Sequence, residues 1–378
     1  MDEKNAKKNL LVLLDQNSTS FCYYENPLYF SPKSNLISIE SLDKIIFYAR
    51  KNNYSIVFIY GNNRLPLEFD YLIESCEHNK IMPLKLKNYK DGVFVINKDD
   101  YRLIPKLKKG LNDILILRLP KKMVNQLTDI FKSLLGKFKR LNLVLLDIDS
   151  YTNNDLEEYA RQLNQIEEIM EKVYLKEQNI EINFLSDRLL LVNMNNCDAG
   201  LRHLTYAQNG KFYICPAFYY EDKVRNSIGD LDSEIEIKNS HLLKLDYAPI
   251  CRNCDAYHCK RCIYLNKKIT LEINTPSSQQ CVISHEERNI TRKLLENLKA
   301  SVELFQKLHP IPEISYLDPF ELINSMSKEN NFEKKERIIA ELLSKPLEVF
   351  TTKELLWQIF KVDRNIIKLL KDINKGVN

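Results

Sequence analysis

Cys251-Arg-Asn-Cys254-Asp-Ala-Tyr-His-Cys259-Lys-Arg-Cys262 places four thiols within twelve residues, and the rest of the chain is best read outward from that stretch. Each Cys-x-x-Cys pair sets two sulfurs on one turn, able to grip a single metal centre. Arg252, Lys260 and Arg261 lower thiolate pKa values and offset the negative charge of a thiolate-bound centre. Cys197, Cys215 and Cys281 flank the stretch, so seven of the nine cysteines lie between residues 197 and 281. The N-terminal Met-Asp-Glu-Lys-Asn-Ala-Lys-Lys precedes a short apolar run with no secretory pattern, and no stretch approaches the ~18 apolar residues of a membrane span. A soluble, cytoplasmic chain is expected. In a reducing compartment, clustered cysteines signal metal binding or catalysis rather than a disulfide framework.

The 378 residues contain 8 glycines, where ordinary usage of roughly 7% would give about 26. Neither G-x-G-x-x-G nor G-x-x-x-x-G-K-[ST] occurs, which excludes functions built on a Gly-rich phosphate cradle. Net charge is +4 from 55 basic and 51 acidic side chains, too balanced to imply nucleic acid as partner. The basic stretch Lys132–Arg140 reads as a solvated helix face. At 44% apolar composition the chain is globular, with room for two or three domains.

Upstream of the cysteines, residues 9–186 alternate apolar runs with segments of helical period. The runs are Asn9–Leu14, Ser55–Tyr60, Ile81–Leu86, Asp113–Leu119, Leu141–Ile148 and Ile180–Leu185, mostly apolar on both faces as strands of a buried parallel sheet are. Met123, Leu127, Ile130, Leu134 and Phe138 follow helical spacing. So do Leu156, Tyr159, Leu163, Ile166, Met170 and Val173, behind a cap signal at Asn153/Asn154. The expected fold class is α/β: an incomplete (β/α) barrel over residues 1–190, with a doubly wound sheet as the alternative and sites at the C-terminal strand ends. A Cys-rich unit over 191–285 and a helical region over 286–378 follow. Within the latter, His285–Leu308, Phe332–Ser344 and a helix behind the capping box Thr351-Thr-Lys-Glu354, bearing Trp357, are expected.

Zinc and iron–sulfur clusters both want sets of four donors. Two zinc ions would have to recruit His203, His258, His285 or a carboxylate, whereas a cluster can leave one iron open. The order Cys197, twelve residues, Gly210, four residues, Cys215-Pro216, a gap, Cys251-x2-Cys254-x4-Cys259-x2-Cys262, a gap and Cys281 resembles the seven-cysteine motif of the SPASM domain. Asn209-Gly210-Lys211 reads as the turn of its hairpin. The chain departs from that motif in two spacings, four where five is usual and two where three is usual. SPASM domains extend radical SAM enzymes that modify peptides. The resemblance implies two [4Fe-4S] clusters, one on Cys251, Cys254, Cys259 and Cys281, the other on Cys197, Cys215 and Cys262 with an open iron. Such interleaved ligation implies a domain that does not fold without its clusters.

A radical SAM enzyme carries C-x3-C-x2-C after its first barrel strand. Here Cys22 stands where a first ligand would, but positions 26 and 29 are Asn26 and Tyr29, and one thiol cannot hold that cluster. Cys76 reads as a packed thiol on a helix. S-adenosylmethionine is therefore not expected as a cofactor. This combination is similar to the CXXX repeat peptide maturases, through Leu13-Leu14-Asp15, the loop Phe21-Cys22-Tyr23-Tyr24-Glu25-Asn26-Pro27, and Gln280-Cys281 with His285-Glu286-Glu287-Arg288-Asn289. The resemblance implies an iron–sulfur protein in the maturation of a ribosomally made Cys-repeat peptide, as modifying enzyme or as the substrate-presenting partner of a radical SAM maturase. The alternative is a non-catalytic zinc module that binds a peptide or protein. Neither reading involves a membrane or nucleic acid. Cys22 and Glu25, at a strand's C-terminal end, are the catalytic candidates. His285 and Arg288 are expected to face a metal centre or to pair with Glu286 or Glu287. Removing Cys254 is expected to cost solubility and metal together, whereas Cys22→Ala is expected to leave metal loading intact.

Overall fold

The computed structural model describes residues 8–31, 33–86, 92–107, 114–176, 180–191 and 194–298. The helices expected beyond residue 298, with Trp357, lie outside them. Parallel strands form where short aliphatic runs recur: β1 (Lys8–Leu13), β2 (Tyr54–Ile59), β3 (His78–Pro83), β4 (Val93–Ile96), β5 (Ile114–Leu119), β6 (Arg140–Leu145) and β7 (Glu181–Ile182). The connecting helices are α1 (Ile39–Lys51) and α2 (Leu67–Glu74), then α3 (Leu127–Leu134) and α4 (Asn153–Tyr174), with α5 (Ser186–Leu190) after β7. The Cys-rich segment adds β8 (His203–Tyr206), β9 (Lys211–Tyr213), α6 (Pro216–Glu221), β10 (Gly229–Asp230), α7 (Ile263–Thr270) and α8 (Ser278–Leu298).

These strands make a single sheet in the order β10-β9-β8-β1-β2-β3-β4-β5-β6-β7, parallel except for the β8–β9 and β9–β10 pairs. The expected hairpin around Gly210 is present, with Gly210 at φ 77° where a side chain would be strained. Because β8 pairs with β1, the Cys-rich segment continues the sheet it follows.

Strand ends differ from the apolar runs for local reasons. The run from Leu141 stops at Leu145, and Asp147 turns the chain at φ 58°. β7 is cut to two residues where the Asn183 side chain takes over the ladder, accepting from Leu143 N at 2.8 Å and donating to Leu143 O at 3.0 Å. β3 starts earlier than the apolar pattern and ends at Pro83, which has no N–H to offer. β4, at four residues, is a continuous apolar run that periodicity alone does not separate from a buried helix segment. The cap of α4 is Thr152, reciprocally bonded with Asp155.

Helices α1 to α4 and α8 lie on one face, and the short α6 packs on the other. α1, α2, α3, α4 and α8 all bury apolar residues in the cluster that holds Leu10, Val12, Phe58, Phe94, Leu117 and Leu143. The alternate strand residues Leu13, Ile59, Ile81, Val95 and Ile116 form a second cluster joined by Phe21, Tyr219 and Tyr220, from the loop after β1 and from α6. A doubly wound sheet has its crossover helices on both faces, whereas here α1 to α4 share one, so that alternative is rejected. No helix among the described residues is long and apolar enough to cross a membrane.

Candidate functional site

Cys251 and Cys254 flank a 3-10 turn, and Cys259 and Cys262 flank Arg261, whose φ of 41° reverses the chain. Cys254 Sγ meets His285 Nε2 at 3.6 Å, and the Cys259 thiol bonds the Ser284 hydroxyl. Cys281 precedes Ser284 and His285 by one turn of α8, so helical spacing puts all three on one face. Cys254, Cys259 and Cys281 thus gather where α8 meets the loop, and Cys251 is close enough to feel the charges of both Cys254 and Cys259. Arg288 pairs with Asp255 at 2.8 Å, and Glu287 takes His258 at 2.9 Å and the Tyr159 hydroxyl at 2.6 Å. His285 therefore faces a thiol, and Arg288 faces Asp255. His203 lies beside Asn9 instead.

The second group comes from further apart. Asn195 N donates to Tyr257 O at 2.7 Å and Cys197 N to Lys260 O at 2.9 Å, lacing the residues before β8 onto the Cys-x-x-Cys loop. Cys197 and Cys215 pack against Ala199, Phe218, Leu243 and Ile263. Cys262, at the start of α7, lies within electrostatic reach of both. Its thiol lies beside that of Cys22, and each is the largest influence on the other. This pairing pulls the Cys22 thiol down against the effect of burial, with help from Lys260, and pushes Cys262 up.

These donors suit a metal centre. Burial pushes the thiols of Cys197, Cys215, Cys251 and Cys259 up, Cys197 to about 11, so they need a cation to ionise. Arg261 is 1% exposed. Its guanidinium donates only to neutral oxygens, those of Asn196 at 2.8 Å, Asn274 at 2.7 Å and Leu243. The anions within its reach are Asp198, which is paired with Arg202, and the sulfurs of Cys251, Cys197 and Cys259. Among the described residues no three Cys, His, Asp or Glu side chains converge on one ion-sized point.

Cys22 arrives through the loop after β1, which folds back onto the face opposite α1 to α4. Arg118, 3% exposed on β5, holds it there. Its guanidinium donates to Cys22 O at 3.0 Å, Tyr24 O at 2.7 Å, Glu25 Oε1 at 2.7 Å and Asn97 Oδ1 at 2.7 Å. The two positions that lack thiols are tied into the same loop. Asn26 Nδ2 donates to Gln16 O and Ser18 O, both at 2.9 Å, while Asn26 Oδ1 accepts from Leu28 N. The Tyr29 phenol lies near Thr19 and Asn97, and burial pushes it up to about 12. Beside the loop a cleft of about 740 Å3 is lined by Glu25, Asn26, Asn97, Arg118, Lys121 and Asp147 among others, and Cys22 is not on its wall. Cys76 lies just past α2, half-buried, with its thiol on Ile73 O at 3.3 Å. Sequence reading overlooked Arg118; one charge inside Ile-Leu-Ile-Leu-Arg-Leu was its signal.

No protein family and no curated protein matches the sequence. Among solved structures, native anSMEcpe with bound AdoMet and Kp18Cys peptide, an anaerobic sulfatase-maturating radical SAM/SPASM enzyme, superposes with a TM-score of 0.52 at 14% identity, covering 77% of this chain and 99% of that one. The histidine-tagged form with bound AdoMet gives 0.49 at 13% identity, covering 78% and 100%. The fold is thus similar to that of a radical SAM enzyme.

Proposed function

We infer that the chain is an iron–sulfur protein that binds a ribosomally made, Cys-repeat precursor peptide during its maturation, as modifying enzyme or as substrate-presenting partner of a radical SAM maturase. In this reading residues 1–190 are a degenerate radical SAM domain, an incomplete barrel, and 191–285 a SPASM-like domain for two [4Fe-4S] clusters. The observation that carries it is the lacing of residues 195–197 onto the Cys-x-x-Cys loop beside a sheet whose first-strand loop is held by Asn26 and Arg118. The peptide bound in the solved relative supports a peptide partner. When bound, the clusters supply electron transfer and thiolate affinity.

The chain's own residues do the remainder. Cys251, Cys254, Cys259 and Cys281 hold one centre, with His285 against Cys254. Arg261 and Lys260 balance thiolate charge. The cleft beside Glu25 offers charged groups of both signs for a peptide backbone and its side chains. Anaerobically purified protein should be brown, contain several iron and sulfide per chain, and not cleave S-adenosylmethionine. Colourless protein with stoichiometric zinc, or S-adenosylmethionine turnover, would overturn the reading.

A further inference from the structure

Cys22 is held where it is by three independent anchors. Arg118 binds the carbonyls of Cys22 and Tyr24, on either side of Tyr23. Phe21 packs into the apolar cluster on the face opposite α1 to α4. Tyr24 stacks on Tyr220 with ring centroids 5.6 Å apart and planes 14° from parallel, and Tyr220 belongs to α6, the helix that Cys215 caps. The loop after β1 is thereby fastened to the element that positions Cys215, and its thiol lies on the side of Cys262. Cys197, Cys215 and Cys262 each lie within electrostatic reach of Cys22. Lys260 and Arg118 supply positive charge on the same side. No second thiol stands at positions 26 or 29 to draw Cys22 into a centre of its own.

We propose that Cys22 is the fourth thiolate of the Cys197, Cys215 and Cys262 site, closing it with a ligand from the N-terminal half. This rests on the metal-binding reading of the thiol groups and reverses the sequence expectation that Cys22 is dispensable for loading. A [4Fe-4S] cluster takes one thiolate on each of its four irons, so the four sulfurs need not converge on one ion-sized point. A closed site leaves no vertex for a substrate thiol, which must be met elsewhere. It also makes metal binding a cross-link between the two halves of the chain.

The test compares anaerobically purified full chain with Cys22→Ala, Cys22→Ser and, as control, Cys76→Ala, measuring iron, sulfide and zinc per chain. Loss of about half the metal in both Cys22 variants, with full loading in Cys76→Ala, is the expected result. Full loading in both Cys22 variants overturns the assignment while leaving the iron–sulfur reading intact. Stoichiometric zinc, half of it lost with Cys22, upholds the assignment while removing the iron–sulfur reading. Iodoacetamide labelling of native wild-type protein needs no variant to fold: Cys22 should be protected when loaded and labelled once metal is stripped. Equal labelling in both states, or a Cys22–Cys262 disulfide in the loaded protein, overturns the proposal.

Discussion

Arg118 sits in an otherwise aliphatic strand and spends its guanidinium on two carbonyls, one amide oxygen and one carboxylate. The Glu25 side chain is 68% exposed, so the ion pair itself contributes below about 1 kcal/mol. The carbonyl bonds are buried, and losing their donor leaves polar groups unpaired. Arg118→Ala should therefore lower the denaturant midpoint by an amount equivalent to about 3 to 5 kcal/mol, whereas Glu25→Gln should cost under about 1 kcal/mol. Arg118→Lys should not restore stability, because one ammonium cannot reproduce the planar fork. Equal losses in Arg118→Ala and Glu25→Gln would show that the salt bridge, not the carbonyls, anchors the loop.

At the scale of elements, the loop after β1 depends on the one after β2. A Cβ on Gly61 would lie 2.0 Å from Asn17 Oδ1 and 3.1 Å from Asp15 Cβ. Asn17 is fully buried and its Oδ1 also accepts from Asn62 N, so it has nowhere to swing. Gly61→Ala should destabilise by about 1 to 3 kcal/mol through overpacking, read by thermal or chemical unfolding. At Gly136, where nothing lies within 4 Å but φ is +77°, alanine should cost only the left-handed backbone penalty of about 1 kcal/mol. Full stability of Gly61→Ala would mean that the loop yields locally. Element types followed from periodicity, whereas ends did not. Asn183 replaces a strand's backbone ladder with its own amide, and Thr152 rather than Asn153 or Asn154 caps α4. Both are decided by what a side chain reaches in three dimensions.

Across the whole molecule, the Cys-rich segment has few long elements between β9 and α8 and is laced together by backbone bonds from 195–197 to 257–260. If metal supplies its folding energy, stripping metal by chelation or oxidation should expose residues 194–262 to hydrogen exchange and protease. β2 to β6, buried beneath α1 to α4, should keep their protection. Unchanged protection of residues 194–262 after stripping would make the thiols incidental to folding.

The amino-acid sequence by itself determined that this is an α/β chain with sequential β-α units and a thiol-rich segment of SPASM-like spacing, because hydrophobic period and Cys-x-x-Cys geometry are local properties. It also showed that no second and third thiol follow Cys22. Only the tertiary structure decided that α1 to α4 occupy one face of the sheet, that β8 extends it beside β1, and that Arg118 folds the Cys22 loop back toward Cys262. Those contacts join residues far apart along the chain. They depend on which face each strand turns inward and on where one buried guanidinium finds its acceptors, and no local period encodes either.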